Sequence, residues 1–144
     1  MKVESVVGVW RLVSVEVIPE KGDRIFPFGS SPKGMLVYMD NGYMFGIMSS
    51  ESRPMVSAAT FGGLKESELT SMGRGFNSYA GRYRQDGDSI RHYIDVSFLP
   101  NLMRKRQHDV RYEIKGEELL LRSQIPDHSN EAFNSIFICW RKET

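Results

Sequence analysis

The chain has 144 residues, and 19 lysines and arginines balance 18 aspartates and glutamates to a formal net charge of +1. This length suits a single domain, which we expect to span residues 1–144. The balanced charge excludes a general attraction to nucleic acid or anionic lipid, and no apolar run approaches the ~18–20 residues of a membrane-spanning helix.

The N-terminal third of the chain reads as three strands. Gly8 to Ile18 is rich in valine and ends at Pro19, which predicts a first strand. Gly34–Met39 and Tyr43–Met48 flank Asp40-Asn41-Gly42, a pattern typical of a tight hairpin that sets Tyr38 opposite Met44. Both faces of this hairpin are apolar, so its pattern leaves open which face lines an interior.

The stretch from Glu51 to Asn77 interrupts the β pattern. Leu64 to Met72 is predicted to form a short helix, bounded by glycines on both sides. A single helix inserted among strands is expected to cover one end of the sheet structure. A mobile lid and a fixed plug are both compatible with its glycine-rich ends.

A second hairpin, from Tyr79 to Ser97, turns at Asp86-Gly87-Asp88 and carries the most informative pattern of the chain. Strict alternation predicts a shared inward face for its apolar row in the second strand: Ile90, His92, Ile94, Val96 and Phe98. Tyr79, Gly81 and Tyr83 share a face of the first strand, with a gap expected at Gly81. The predicted interior therefore holds an imidazole and two phenols.

Three further strands are predicted at Lys105–Ile114, Glu118–Gln124 and Asn134–Lys142, with a polar loop over Ile125–Glu131. About eight sequential antiparallel strands with short turns indicate an all-β up-and-down barrel with one inserted helix. Because an apolar last strand left as an edge invites aggregation, we expect it to pair with the first strand and bring Trp10 near Trp140 and Arg141.

Several motifs occur in the order found in a known family. They are Gly8-Val9-Trp10, Gly34-Met35-Leu36-Val37-Tyr38, Asp40-Asn41-Gly42-Tyr43-Met44, Tyr79-Ala80-Gly81-Arg82-Tyr83 with Asp86-Gly87-Asp88, and His92 with Pro100-Asn101 and Gln107. Together they resemble the small single-domain lipocalin-like proteins of bacteria and fungi.

The resemblance implies a barrel with a central cavity, in which Trp10 packs near the closed end with Arg141 over its ring. A guanidinium over an indole contributes about 0.5–2 kcal/mol. Some similar small barrels act as cofactor-free cyclases or isomerases in natural-product pathways. Leu102 and Arg104 depart from the family pattern, and Met103-Arg104-Lys105-Arg106 forms an unusual basic rim. The identity of a ligand is therefore not carried over.

The predicted function is the binding of a small, hydrophobic, oxygen-bearing molecule in the barrel cavity. A cofactor-independent cyclase or isomerase is the alternative, with His92 and Tyr83 as the residues that move protons. His92 is also readable as a core histidine that is hydrogen-bonded to a neighbouring strand. The predicted ligand-binding residues are Tyr38, Met44, Tyr79, Tyr83, His92, Ile94, Phe98, His108 and Tyr112.

Other site chemistries find less support in the sequence. His92, His108 and His128 lack zinc-helix spacing, and neither a metal nor a cofactor is expected. Arg82, Arg84, Arg91, Asp95 and Arg111 are predicted to form charge pairs outside the barrel, although an inverting bulge would turn them into the lumen. The lone Cys139 and the lack of a signal-peptide pattern predict a cytoplasmic protein. The expected oligomeric state is a monomer or a homodimer.

Overall fold

The computed structural model describes residues 4–104, 107–126 and 133–144. Eight antiparallel strands pair in sequence order and close into a barrel, as the alternation predicts. The elements are β1 Gly8–Ile18, β2 Lys33–Tyr38, β3 Tyr43–Ser49, α1 Glu66–Gly73, β4 Phe76–Asp86, β5 Ser89–Ser97, α2 Asn101–Arg104, β6 Gln107–Lys115, β7 Glu118–Pro126 and β8 Phe133–Lys142. The predicted strand start at Lys105 and the loop with His128 lie outside the described residues.

The barrel is closed at the end where β1 begins. The preceding segment crosses this end, where Val6 is buried and its amide donates to Oε1 of Gln85 at 3.1 Å. The indole Nε1 of Trp10 donates to the carbonyl of Val6 at 2.9 Å. Because these bonds satisfy the polar groups of the crossing segment, it can seal an apolar core there.

The first and last strands lie side by side, as closure of the barrel predicted. Leu12 pairs with Trp140, and Trp10 pairs with Lys142. The expectation that Arg141 covers the Trp10 ring is wrong, because Nζ of Lys142 lies 5.6 Å from that ring centroid. Arg141 directly precedes Lys142 in β8, so its side chain points to the opposite, outer face of the sheet. There it forms an ion pair with Glu118 at 3.1 Å.

A β-bulge changes the facing of the second half of β5. Gly81 pairs with Ile94 while Ala80 pairs with Val96, so Asp95 is the extra residue. Val96 and Phe98 are consequently 59% and 42% exposed, and their prediction as inward-facing residues is wrong. Phe98 instead packs edge-on against Phe76, with ring centroids 5.6 Å apart.

The bulge also explains Gly81, which does not create the gap that the alternation suggested. A Cβ built on Gly81 lies only 1.9 Å from the carbonyl oxygen of Tyr93. The backbone of the bulged strand therefore approaches β4 so closely that only glycine fits at this position.

The predicted helix is present as α1 and lies at the open end of the barrel. None of its residues is buried. The segment is tied to the barrel by Arg53, whose Nε donates to the carbonyl of Met72 at 3.2 Å and whose guanidinium lies 4.6 Å from the Phe76 ring centroid. No helix among the described residues is both long and apolar enough to cross a membrane.

Candidate binding site inside the barrel

His92 lies in the interior of the barrel and is 4% exposed. Its Nε2 shares a hydrogen bond of 2.7 Å with the hydroxyl of Tyr38, and the two rings stack with centroids 5.7 Å apart. Its neighbours across the sheet are Tyr83 on β4 and His108 on β6. The alternation of β5 therefore predicted the position of His92 correctly.

Burial decides the protonation of this cluster. It lowers the pKa of His92 to about 4, with a smaller contribution from the nearby His108. It also raises the pKa of Tyr38 well above its usual value, as do Tyr79 and Tyr83 to a lesser extent. The imidazole and the phenol are therefore both neutral at neutral pH, and a proton on one of them bridges the pair.

Tyr79 places a second polar side-chain group, its hydroxyl, in the interior. It lies opposite Gly46, where an added Cβ would approach Cζ of the Tyr79 ring to 2.8 Å. Burial raises its pKa to about 12, and its ring centroid lies 6.1 Å from that of His92. The hydroxyl of Tyr79 has no hydrogen-bond partner among the described residues, and neither does Nδ1 of His92.

Two further polar atoms in the interior were missed by the sequence analysis. The Oδ1 of Asn77 and the Nε1 of Trp140 are buried and have no hydrogen-bond partner among the described residues. Asn77 lies opposite the buried Met48, and Trp140 lies opposite the buried Leu12, so both share the inward face. The facing of Asn77 follows once β4 is extended back from Tyr79 by its alternation.

Some predicted site residues lie in the interior, but their polar groups form hydrogen bonds with other parts of the protein. The Tyr83 hydroxyl donates to the carbonyl of Met39 at 2.7 Å. The Tyr112 hydroxyl donates to the carbonyl of Gly87 at 2.8 Å and accepts from Nε2 of Gln85 at 2.6 Å. Nε2 of His108 lies 3.0 Å from the carbonyl oxygen of Leu102. These bonds tie the side chains to turns and to a short helix.

Met44 and Ile94, the remaining apolar members of the predicted set, are buried on the inward face. Phe98 lies outside this group because of the bulge. The structure thus brings together Tyr38, Met44, Tyr79, Tyr83, His92 and Ile94, and it separates Phe98 from them.

Solvent exposure of the inward-facing residues differs along the barrel. Toward the closed end they are fully buried, as in Trp10, Leu36, Tyr38, Ile90, Leu119 and Trp140. Toward the other end several keep partial exposure, as in Asn77, Tyr79, His108, Val110, Ile136 and Ile138, although Val15 and Met48 there are also buried. The pairing of β6 with β7 also stops at Arg111 and Arg122. The interior is therefore fully packed at the closed end and less completely buried toward the other.

The described residues do not suggest a metal site. Among them, no group of three or more histidine, cysteine, aspartate or glutamate side chains is placed to hold a metal ion. The polar atoms of the interior suit hydrogen bonding to an organic molecule, since they include donors and acceptors on neutral groups.

Comparison with known proteins agrees with this architecture. The chain matches no curated protein. The family model of the lipocalin-like domain matches residues 7–143. This match covers the whole barrel, from the first residue before β1 to the end of β8. A lipocalin-like barrel suggests small-molecule binding in general. The chain belongs to the lipocalin-like domain family.

Proposed function

We propose that the barrel binds a small, largely apolar, oxygen-bearing molecule in its open half. The observation that carries this proposal is a set of polar atoms without a hydrogen-bond partner among the described residues, in an otherwise apolar interior: the Tyr79 hydroxyl, Nδ1 of His92 and Oδ1 of Asn77.

Unpaired polar groups in a protein interior carry a free-energy cost of about 1–3 kcal/mol each. A bound water or a ligand removes that cost by supplying the missing partner. The Tyr79 hydroxyl can donate to an oxygen acceptor, and the acceptor Oδ1 of Asn77 calls for a hydroxyl or amide donor. A ligand with both kinds of oxygen matches this arrangement.

The remaining lining of the open half supplies affinity. Val110, Ile136 and Ile138 are aliphatic, partly exposed and packed against the core cluster. Small-molecule sites typically combine such apolar walls with a few polar groups that fix orientation. Tyr79 replaces Tyr83 as the tyrosine expected to meet the ligand, because the Tyr83 hydroxyl already donates to Met39.

Binding is favoured over catalysis by the acid–base properties of the site. A general base works best with a pKa near the operating pH, whereas burial lowers the pKa of His92 to about 4. Burial likewise makes Tyr79 a weaker acid, with a pKa of about 12. The interior is therefore better suited to hold a neutral molecule than to move a proton at neutral pH.

Native mass spectrometry of the freshly purified protein tests whether a small molecule accompanies it. A parallel titration with 2-decanone, an apolar ketone, compares the wild type with Tyr79→Phe and with Tyr43→Phe, whose ring is exposed on the outside. We expect Tyr79→Phe to weaken binding by about 0.5–1.5 kcal/mol, the value of one neutral hydrogen bond. Tyr43→Phe is expected to bind as the wild type does.

The proposal fails if no molecule co-purifies and 2-decanone shows no saturable binding. It also fails if the two tyrosine variants lose affinity equally, because the loss would then not arise in the interior.

A further inference from the structure

A groove with a cavity volume of about 670 Å³ lies on the outer surface of the barrel, across β6, β7, β8 and β1. Its floor consists of two cross-strand rows. The first row is Ser14, Cys139, Leu120 and Glu113, and the second is Glu16, Phe137, Arg122 and Arg111. We call this feature the outer groove. Its lining also includes Tyr112, Leu121 and Ile138 of the inward rows, but not Tyr79, His92 or Asn77 of the interior site.

Strand alternation establishes that the outer groove faces away from the core. Leu120 alternates with Leu119 and Leu121, which are buried inside the barrel. On β1, Ser14 and Glu16 flank the buried Val15. The floor residues therefore occupy the opposite face of the sheet from the interior site.

One ion pair lies at each of two rims of the outer groove. At one rim, Nε of Arg24 lies 2.5 Å from Oε1 of Glu16, which places the segment after β1 over the sheet. This segment is further fixed by the backbone bridge between Val17 and Ile25. At the other rim, Arg111 lies 3.9 Å from Asp88 of the turn between β4 and β5.

The charges of the floor are incompletely matched. Arg111 and Arg122 lie directly opposite each other in the register of β6 and β7, a position where like charges destabilise a sheet. The contact of Arg111 with Asp88 is long, and both side chains are more than two-thirds exposed. Arg122 has no ion-pair or hydrogen-bond partner among the described residues. Glu113, the remaining acidic floor residue, is 3.7 Å from Lys115.

An anionic group placed between Arg111 and Arg122 would relieve this repulsion, since guanidinium groups bind carboxylate and phosphate oxygens with matched geometry. Beside the arginines, Leu120, Phe137 and Ile18 form an apolar strip of the same groove. The volume is within the range of small-molecule sites, about 300–1,000 Å³. The groove thus combines a cationic end with an apolar strip.

We propose that the outer groove is a second binding site, which takes a small amphipathic anion. Its carboxylate or phosphate head pairs with Arg122 and Arg111, and its apolar part lies along Phe137, Leu120 and Ile18.

Titration with decanoate, decyl phosphate and neutral decan-1-ol tests this site, with methyl NMR of the full chain as the readout. Leu120 reports on the outer groove, whereas Leu119, which is buried and does not line the groove, reports on the interior. The test variants are Arg122→Gln and Arg111→Gln. Arg84→Gln is the matched control, because Arg84 is also exposed and lies directly opposite an arginine, Arg91, but outside the groove.

We expect both anions to shift the Leu120 methyl signals saturably and decan-1-ol to leave them in place. Each groove variant is expected to weaken anion binding about two- to fivefold, as for exposed ion pairs, while Arg84→Gln binds normally. A preference between the two anions identifies the head group.

The proposal is overturned if the anions shift Leu119 and not Leu120, if decan-1-ol shifts Leu120 equally, or if Arg84→Gln loses as much affinity as Arg122→Gln. Such a result leaves the interior site standing, because that site is tested by Tyr79→Phe and 2-decanone.

Discussion

The hydroxyl of Tyr38 and Nε2 of His92 lie 2.7 Å apart, although their strands β2 and β5 are not neighbours in the barrel. The hydrogen bond therefore spans the lumen. The two stacked rings fill the interior at this level, and the space toward the closed end is occupied by buried side chains. This pair forms the floor of the proposed interior site, and its strength bears on the stability of the barrel.

Tyr38→Phe removes the hydroxyl from this pair and leaves Nε2 of His92 without a partner in a buried position. We expect the free energy of unfolding to fall by about 1–3 kcal/mol. Tyr43→Phe, on the exposed surface of β3, is the matched control and is expected to change it by less than about 0.5 kcal/mol. Urea denaturation measures both variants, and equal values would contradict a stabilising role of the Tyr38–His92 bond.

The depressed pKa of His92 predicts a loss of stability in acid. An unfolded histidine binds a proton below its usual pKa of 6.5, whereas folded His92 does so only near pH 4. The unfolded state therefore binds more protons in this window, and stability decreases as pH falls from about 6.5 to 4, by about 3 kcal/mol in total.

His92→Gln isolates this contribution, because carboxylates and His108 are common to both proteins. We expect the free energy of unfolding of the variant to depend less on pH between 4 and 6.5 than that of the wild type. If the free energy of unfolding changed equally with pH in the variant and the wild type, His92 would titrate normally.

Gly81→Ala tests the close approach at the bulge. The new methyl group would lie 1.9 Å from the Tyr93 carbonyl oxygen, so the strands must separate or the bulge must move. We expect a loss of at least about 2 kcal/mol in the free energy of unfolding. Gly62→Ala serves as the control because no atom lies within 4 Å of its added Cβ. Thermal unfolding distinguishes the two, and a harmless Gly81→Ala would contradict the described register.

Gln85 holds the segment that seals the closed end. Its Oε1 accepts from the Val6 amide at 3.1 Å, and its Nε2 donates to the Glu4 carbonyl at 2.6 Å. We expect Gln85→Ala to cost about 1–3 kcal/mol of stability and to speed hydrogen exchange at the Val6 amide and the Trp10 indole. Arg84→Ala, at the adjacent exposed position, should leave both exchange rates unchanged. Unaltered exchange in Gln85→Ala would argue against this anchoring.

Sequence patterns predicted the barrel and the centre of its interior because alternation is a local property that each strand displays. Ile90, His92 and Ile94 follow it faithfully. The bulge at Asp95 was not visible, since one extra residue in a strand depends on how the partner approaches, and the only local sign was Gly81. The inward assignments of Val96 and Phe98, which follow the bulge in β5, were therefore wrong.

The partners of polar side chains were harder to predict than their facing. Tyr83 was expected to meet a ligand, but its hydroxyl reaches the carbonyl of Met39, a residue 44 positions away in the sequence. Likewise, Lys142 rather than Arg141 covers Trp10, which depends on the register between β1 and β8. Register and side-chain reach are tertiary properties that a single sequence does not display.

Tyrosine ring carbons provide the most direct measurement of the interior site. The Tyr79 hydroxyl has no hydrogen-bond partner among the described residues, whereas the Tyr43 ring is exposed on the outside of the barrel. In protein labelled with ¹³C at tyrosine Cζ and titrated with 2-decanone, we expect the Cζ signal of Tyr79 to move saturably, because its hydroxyl gains an acceptor, while that of Tyr43 stays in place. If both signals stay in place, or if both move together, the proposed ligand does not reach the interior of the barrel.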